Sequence, residues 1–199
     1  MARGAVCLGM DITNPAANAA EHLIRIMERE GAGIQADARY IPVSNDSLDF
    51  VYSSGVLHHS PDINRSVSEI HRCLKRGGKA YIMLYAKWSH IFMGQRIKGI
   101  LKGYWSKKKQ QQYISHAGET AWRTESRKNP HTDTFSKKEC EALFRDFKRV
   151  QIRKGSFTLT QLPVLAKFIP SSTLDDFSLR HLKFLDGLLG ACLFIVAEK

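Results

Sequence analysis

The stretch ADARYIPVSNDSLDFVYSSGVLHH, residues 36–59, holds the end of one strand, a polar connection and a second strand with its exit. Residues 34–38 read as a short strand ending at Asp37. Ile41-Pro42-Val43 and the polar Ser44-Asn45-Asp46 follow as its loop. Residues 48–53, LDFVYS, are rich in β-branched and aromatic side chains and read as the next strand, closed by Gly55. Upstream, the apolar run 5–10 leads into Asp11-Ile12-Thr13 as a buried strand and turn. A helix is expected there, capped by Thr13 or Asn14, with Pro15 in its first turn, Leu23, Ile26 and Met27 as its apolar stripe, and Gly31 or Gly33 at its end. Downstream, Asp62 opens a second helix whose stripe is Ile63, Val67, Ile70 and Leu74, ended by Gly77-Gly78. Residues 80–84, AYIML, then make a fourth strand. Strands separated by helix-length segments pair in parallel through right-handed crossovers, so the fold class is α/β with a sheet covered on both faces.

Residues 86–118 break this rhythm with interleaved aromatics and lysines and read as an insertion in a single domain spanning 1–199. Phe135 and Ser136 start another helix, with Ser136 as cap and Glu139 placed for a capping box. Its inward residues are Cys140, Leu143 and Phe144. Residues 150–152 suggest a strand, 157–184 an irregular or helical connection, and 192–197 a closing strand.

The chain has 199 residues, with 30 Lys and Arg against 19 Asp and Glu, a formal charge of +11. The excess is local. Residues 70–118 contain no Asp or Glu but 11 Lys and Arg. Cys7, Cys73, Cys140 and Cys192 are far apart with no C-x-x-C pair, which argues against a zinc ribbon and a disulfide framework and for a reduced, cytoplasmic setting. The apolar run 188–197 has about half the length that a bilayer-spanning helix needs, and the apolar stretch before Asp11 is too short for a signal peptide.

In order and wording, the segments GMDIT (9–13), ADARYIPVSNDSLDFVYSSGVLHH (36–59) and EIHRCLKRGGKAYIMLY (69–85) resemble the class I S-adenosylmethionine-dependent methyltransferases, in particular their broad small-molecule group. The resemblance implies a three-layer Rossmann-like sheet, mostly parallel with an antiparallel C-terminal strand. It implies S-adenosyl-L-methionine as cofactor and methyl transfer to an oxygen, nitrogen or carbon of a small-molecule acceptor, perhaps an amphipathic one. The departure is at the start. In this family a glycine-rich loop after the first strand precedes the acidic residue by about twenty residues, whereas only ten residues precede Asp11, and Gly4 and Gly9 lead into a strand. The family's first strand and glycine motif are therefore expected to be absent, leaving the domain truncated at its amino end. That strand lies between the family's second and fourth, so two halves of the sheet are expected to lack a common neighbour.

By resemblance, Asp11 accepts the ribose hydroxyls and Ile12 packs on the adenine; read alone, Asp11 is more readily a helix-capping carboxylate. Asp37, with Ala38, meets the adenine edge, the alternative being a turn carboxylate. Ser54 and Gly55 let the cofactor approach the strand end, unless Gly55 simply terminates the strand. His58 and His59, the adjacent histidine pair, offer a general base for a hydroxyl or phenol, since imidazole titrates near neutral pH. The alternative has one histidine packed on the cofactor and the other at the surface. In-line positioning in a dry pocket can also suffice for this reaction. The eight histidines are scattered, with no H-E-x-x-H and no G-x-S-x-G, so neither a metal nor a serine nucleophile is expected.

The basic segment, with Trp88, Ile91, Phe92, Ile97, Ile100, Leu101, Tyr104 and Trp105 among its lysines, admits four readings. It can lie on an anionic membrane as an amphipathic helix or close over a lipid-like substrate. It can grip the phosphates of a nucleic acid with aromatics stacked on bases, or serve as a solvated helical cover. Its aliphatic content favours membrane or lid over nucleic acid. A chain that catalyses nothing, a fragment or binding module using this segment, is the competing functional class.

Overall fold

The computed structural model describes residues 4–117, 131–157, 172 and 181–199. Most of the connection expected over 157–184 lies outside the described residues. The first unit is β1 (Cys7–Asp11), α1 (Asn14–Ile26) and β2 (Gly31–Gln35). The strands pair in parallel from Cys7↔Gly31 to Asp11↔Gln35. Thr13 is the N-cap of α1 and Pro15 sits in its first turn, as the sequence indicates. The helix stops at Ile26, before either glycine, because both glycines are needed inside β2. A Cβ at Gly33 would collide with the Ala17 carbonyl, and one at Gly9 would come within 2.5 Å of Ala20 Cβ. Helix and sheet approach so closely here that only Gly on the sheet and Ala on the helix fit.

The expected inward stripe of α1 is a correction. Leu23, Ile26 and Met27 are 56%, 64% and 45% exposed, because the alanine face, not the bulky one, lies on the sheet.

The second unit contains β3 (Leu48–Ser54), α2 (Ile63–Cys73), β4 (Leu74–Tyr85), α3 (His90–Leu101), α4 (Lys107–Ala117), α5 (Lys137–Leu143), β5 (Arg149–Gly155), the one-turn α6 (Asp186–Leu189) and β6 (Cys192–Glu198). Its strand order is β3-β4-β6-β5. β3 runs parallel to β4, and β6 is antiparallel to both β4 and β5, so β6 alone is reversed. Asp62 caps α2 by accepting from the Arg65 amide. α2 ends at Cys73 because Leu74 is already extended, with φ −68° and ψ 138°. The glycine pair lies past that end. Leu48 faces Leu74 and Phe50 faces Lys79, so residues 75–78 loop out of the ladder, with Gly77 at φ +77°. Ser136 and Glu139 complete the capping box of α5.

One face of this sheet, Ala80, Ile82 and Leu84 with Leu193, Ile195 and Ala197, is buried under Val67 and Ile70 of α2 and Cys140 and Phe144 of α5. Each large aliphatic side chain buried there contributes about 1.5–3 kcal/mol. The other face carries the ring ladder Tyr52, Tyr81 and Phe194. Among the described residues β1 pairs only with β2 and β3 only with β4, so the two sheets have no common strand, in line with the expected division. Leu8 on β1 and Phe50 and Tyr52 on β3 are correspondingly exposed.

What links the units is the loop after β2. Glu69 of α2 accepts from the Ile41 amide, and Arg72 donates to the carbonyls of Ile41 and Val43. Glu69 and Arg72 are themselves paired at 2.8 Å. Ala38 and Ile41 pack on the core of the larger sheet. Among the described residues no helix is long and apolar enough to cross a membrane.

Candidate active site

The sequence-derived residues gather into two groups at the carboxyl ends of strands, where open α/β sheets receive ligands. In the first, Asp11 ends β1 and Oδ1 accepts from the Thr13 amide at 2.8 Å and the Thr13 hydroxyl at 2.7 Å. Oδ2 has no protein partner among the described residues. Ile12, 63% exposed, stands beside it. The turn after β2 closes against this point: the Ala36 amide donates to the Asp11 carbonyl, and Gln35 Nε2 donates to the Ile12 carbonyl. Asp37 follows directly, but Arg39 takes up its carboxylate through Nε, Nη2 and the backbone amide. The Arg39 guanidinium holds the Asp37 carboxyl below the ordinary range against the opposing effect of burial.

The second group lies at the end of β3. Ser54 pairs with Met83 of β4, and Gly55 turns at φ +78° with open space around it, its nearest neighbour a Met83 methyl 3.9 Å from where a Cβ would sit. A single helical turn, Leu57–His59, then presents the two histidines. They are not equivalent. His58 is wholly buried against Tyr85, ring centroids 3.7 Å apart, and neither ring nitrogen has a hydrogen-bond partner among the described residues. Burial, with neighbouring His59, pushes its pKa down to about 3; the Met83 carbonyl approaches the ring without completing a bond. His58 is therefore a neutral ring at physiological pH.

His59 is half-buried, and its Nδ1 lies 2.9 Å from the His131 carbonyl and 3.2 Å from the Thr132 hydroxyl. A carbonyl can only accept, so Nδ1 carries a proton. The segment that accepts it is fixed in turn. The Asp133 amide donates to the His58 carbonyl at 2.8 Å, Asp133 Oδ2 lies 2.8 Å from His131 Nε2, and Gln111 of α4 donates to both Asp133 Oδ1 and the Thr132 carbonyl. Reading the sequence alone missed Tyr85, Gln111, His131 and Asp133. The only local signal was the His131-x-Asp133 pair, which lies more than 70 residues from the histidines it supports.

A separate open cleft of about 1070 Å³ lies between α2, α4 and α5. It meets the histidine network through Gln111, Asp133 and neighbouring Thr134, and none of Asp11, Asp37, Ser54 or Gly55 lines it. Lys87 and Glu139 pair on its wall. Burial would raise the Glu139 pKa, but Lys87 and the Ser136 cap outweigh it and bring the carboxyl to about 2. Among the described residues no group of His, Cys, Asp and Glu converges to hold a metal.

Residues 1–82 match the family described as methyltransferase domain. An S-adenosylmethionine-dependent methyltransferase from Thermotoga maritima superposes with a TM-score of 0.54 at 18% identity, over 96% of this chain and 72% of that one. The YcgJ protein from Bacillus subtilis gives 0.57 at 16% identity, over 98% and 82%. A methyltransferase of the same dependence from Archaeoglobus fulgidus gives 0.54 at 16%, over 96% and 75%. The fold is that of the class I S-adenosylmethionine-dependent methyltransferases, and the family match, which ends at residue 82, includes Asp11, Asp37 and the histidine pair.

Proposed function

We propose that the chain binds S-adenosylmethionine across the ends of β1, β2 and β3 and directs its methyl group to a small, amphipathic acceptor. The observation that carries this is Asp11: a carboxylate at a strand end, oriented by Thr13, with one oxygen unpartnered among the described residues and an exposed apolar Ile12 beside it. A ribose diol needs such an acceptor and an adenine such a flat apolar surface. The nucleoside half thus fits the residues present. For the methionine half, Gly9 and Gly33 are committed to helix–sheet packing, Gly31 to the close approach of β1, and Gly4 precedes β1, so no glycine turn of this unit meets it. Ala38 would border the adenine, while Asp37 reaches the exocyclic amine only if Arg39 yields. Ser54 and the open space at Gly55 leave room at the end of β3.

The cofactor supplies an electrophilic methyl group on a sulfonium, and the protein's part is to align an acceptor lone pair behind it in a site that excludes water. His59, its Nδ1 held at the His131 carbonyl, takes the acceptor proton where the acceptor is a hydroxyl or phenol. Neutral His58 and Tyr85 form the dry wall behind it. Titration calorimetry with S-adenosylmethionine tests the reading. The folded chain should bind, and Asp11→Ala should weaken binding about tenfold or more, the scale of a charge-assisted hydrogen bond. A folded chain giving no binding heat would overturn it.

A further inference from the structure

The hairpin of α3 and α4 presents a face that the site does not use. α3 turns Phe92 and Gly99 inward, Phe92 onto Tyr85 at 5.2 Å and Gly99 so close to Tyr113 that a Cβ would lie 3.1 Å from its ring. On the opposite side Met93, Ile97, Ile100 and Leu101 recur at helical spacing and are 45%, 57%, 37% and 81% exposed. Tyr104 and Trp105 continue the apolar surface, Trp105 being 76% exposed. At the other end of α3, Trp88 and Leu188 are also exposed, their carbonyls tied together by Lys154. Lys98 and Lys102 flank the stripe, and Lys108 and Lys109 open α4, all four exposed. Residues 88–117 carry six Lys and Arg and no Asp or Glu.

We infer that this hairpin is a docking surface for an anionic lipid bilayer, with α3 lying in the plane of the headgroups. The chemistry selects that occupant. An aliphatic stripe gains free energy in hydrocarbon but nothing on phosphates or stacked bases, which argues against nucleic acid. Flanking lysines without a single carboxylate meet a negative lipid surface at no cost in repulsion. Trp88 and Trp105 bracket the helix as ring anchors at the interface. The proposed amphipathic acceptor would then be met at the membrane face, although docking itself does not depend on methyl transfer.

The test is co-sedimentation of the full chain with phosphatidylcholine vesicles and with vesicles containing phosphatidylglycerol, with no cofactor present. Binding is expected only to the anionic vesicles, with a blue shift of tryptophan emission. Leu101→Glu and Ile97→Glu lie at exposed positions and should leave the thermal unfolding curve in place while reducing binding at least tenfold. Lys98→Ala and Lys102→Ala should each reduce it roughly fivefold. Absence of anionic-vesicle binding would overturn the inference, whether or not the chain is retained on single-stranded RNA or dimerises. So would binding that Leu101→Glu leaves unchanged, since attraction by charge alone needs no apolar stripe. A chain that docks on vesicles yet gives no heat with S-adenosylmethionine keeps this inference and removes the proposed activity.

Discussion

His58 lies flat against Tyr85, ring centroids 3.7 Å apart and planes 30° from parallel, at the floor of the turn that also presents His59. Because its pKa falls from the usual 6.5 to about 3, the unfolded chain binds a proton there that the folded chain refuses. The stability this provides is complete above pH 6.5 and is lost as pH falls from there toward 3, at up to about 1.4 kcal/mol per pH unit. His58→Phe keeps a ring on Tyr85 and removes the titration. Its denaturant midpoint should fall less between pH 6.5 and 4 than that of the parent; parallel curves would show that His58 protonates freely in the fold.

Glu69 and Arg72 clamp the loop that carries Asp37 and Ala38 onto α2. Hydrogen bonds from Arg72 hold the Glu69 carboxyl below its ordinary range, although burial acts in the opposite direction. A lowered carboxyl pKa contributes stability above the unfolded value of about 4.3, and that contribution fades as pH falls through the folded value. Glu69→Ala removes the clamp and leaves the Ile41 amide without its acceptor. We expect a loss of about 2 kcal/mol in urea unfolding at neutral pH, shrinking toward pH 3. A loss independent of pH would place the effect in packing rather than in charge.

Gly33 faces α1 so closely that any side chain would strike the Ala17 carbonyl and crowd Glu21 Cβ. Gly33→Ala should cost about 1–3 kcal/mol, confined to the small unit. Hydrogen exchange should accelerate in β1, α1 and β2 while β4 and β6 keep their protection. Uniform acceleration across both sheets would mean that the two units unfold together.

Much of this could be read before the coordinates, wherever the signal is local. The start of α2 at Asp62, its stripe of Ile63, Val67 and Ile70, and the Ser136 capping box are patterns of a few residues, and the structure places them as read, whereas Leu74 falls in β4. The α1 stripe departs from expectation because bulk marks Leu23, Ile26 and Met27 as the buried face, whereas the glycines of β1 and β2 admit only alanine. The end of α2 differs from the expected one because the glycine pair belongs to a loop in the β3–β4 ladder, a long-range register that helix patterns do not carry. The site divides along the same line. Asp11 and the histidine pair come from strand ends. The His131 carbonyl that accepts from His59 Nδ1 is brought there by tertiary packing alone. Arg39, two residues from Asp37, was within reach of a local reading, since Asp-x-Arg can close on itself as it does here.

The central claim is that the ends of β1, β2 and β3 form one nucleoside site. Titration of the ¹⁵N-labelled full chain with S-adenosylhomocysteine, followed by amide chemical shifts, tests it most directly. Shifts should concentrate at residues 11–13, 36–38 and 54–56, and Asp11→Ala should suppress all three sets together. Saturable shifts confined to the cleft between α2, α4 and α5, or none at all in a folded chain, would contradict the account.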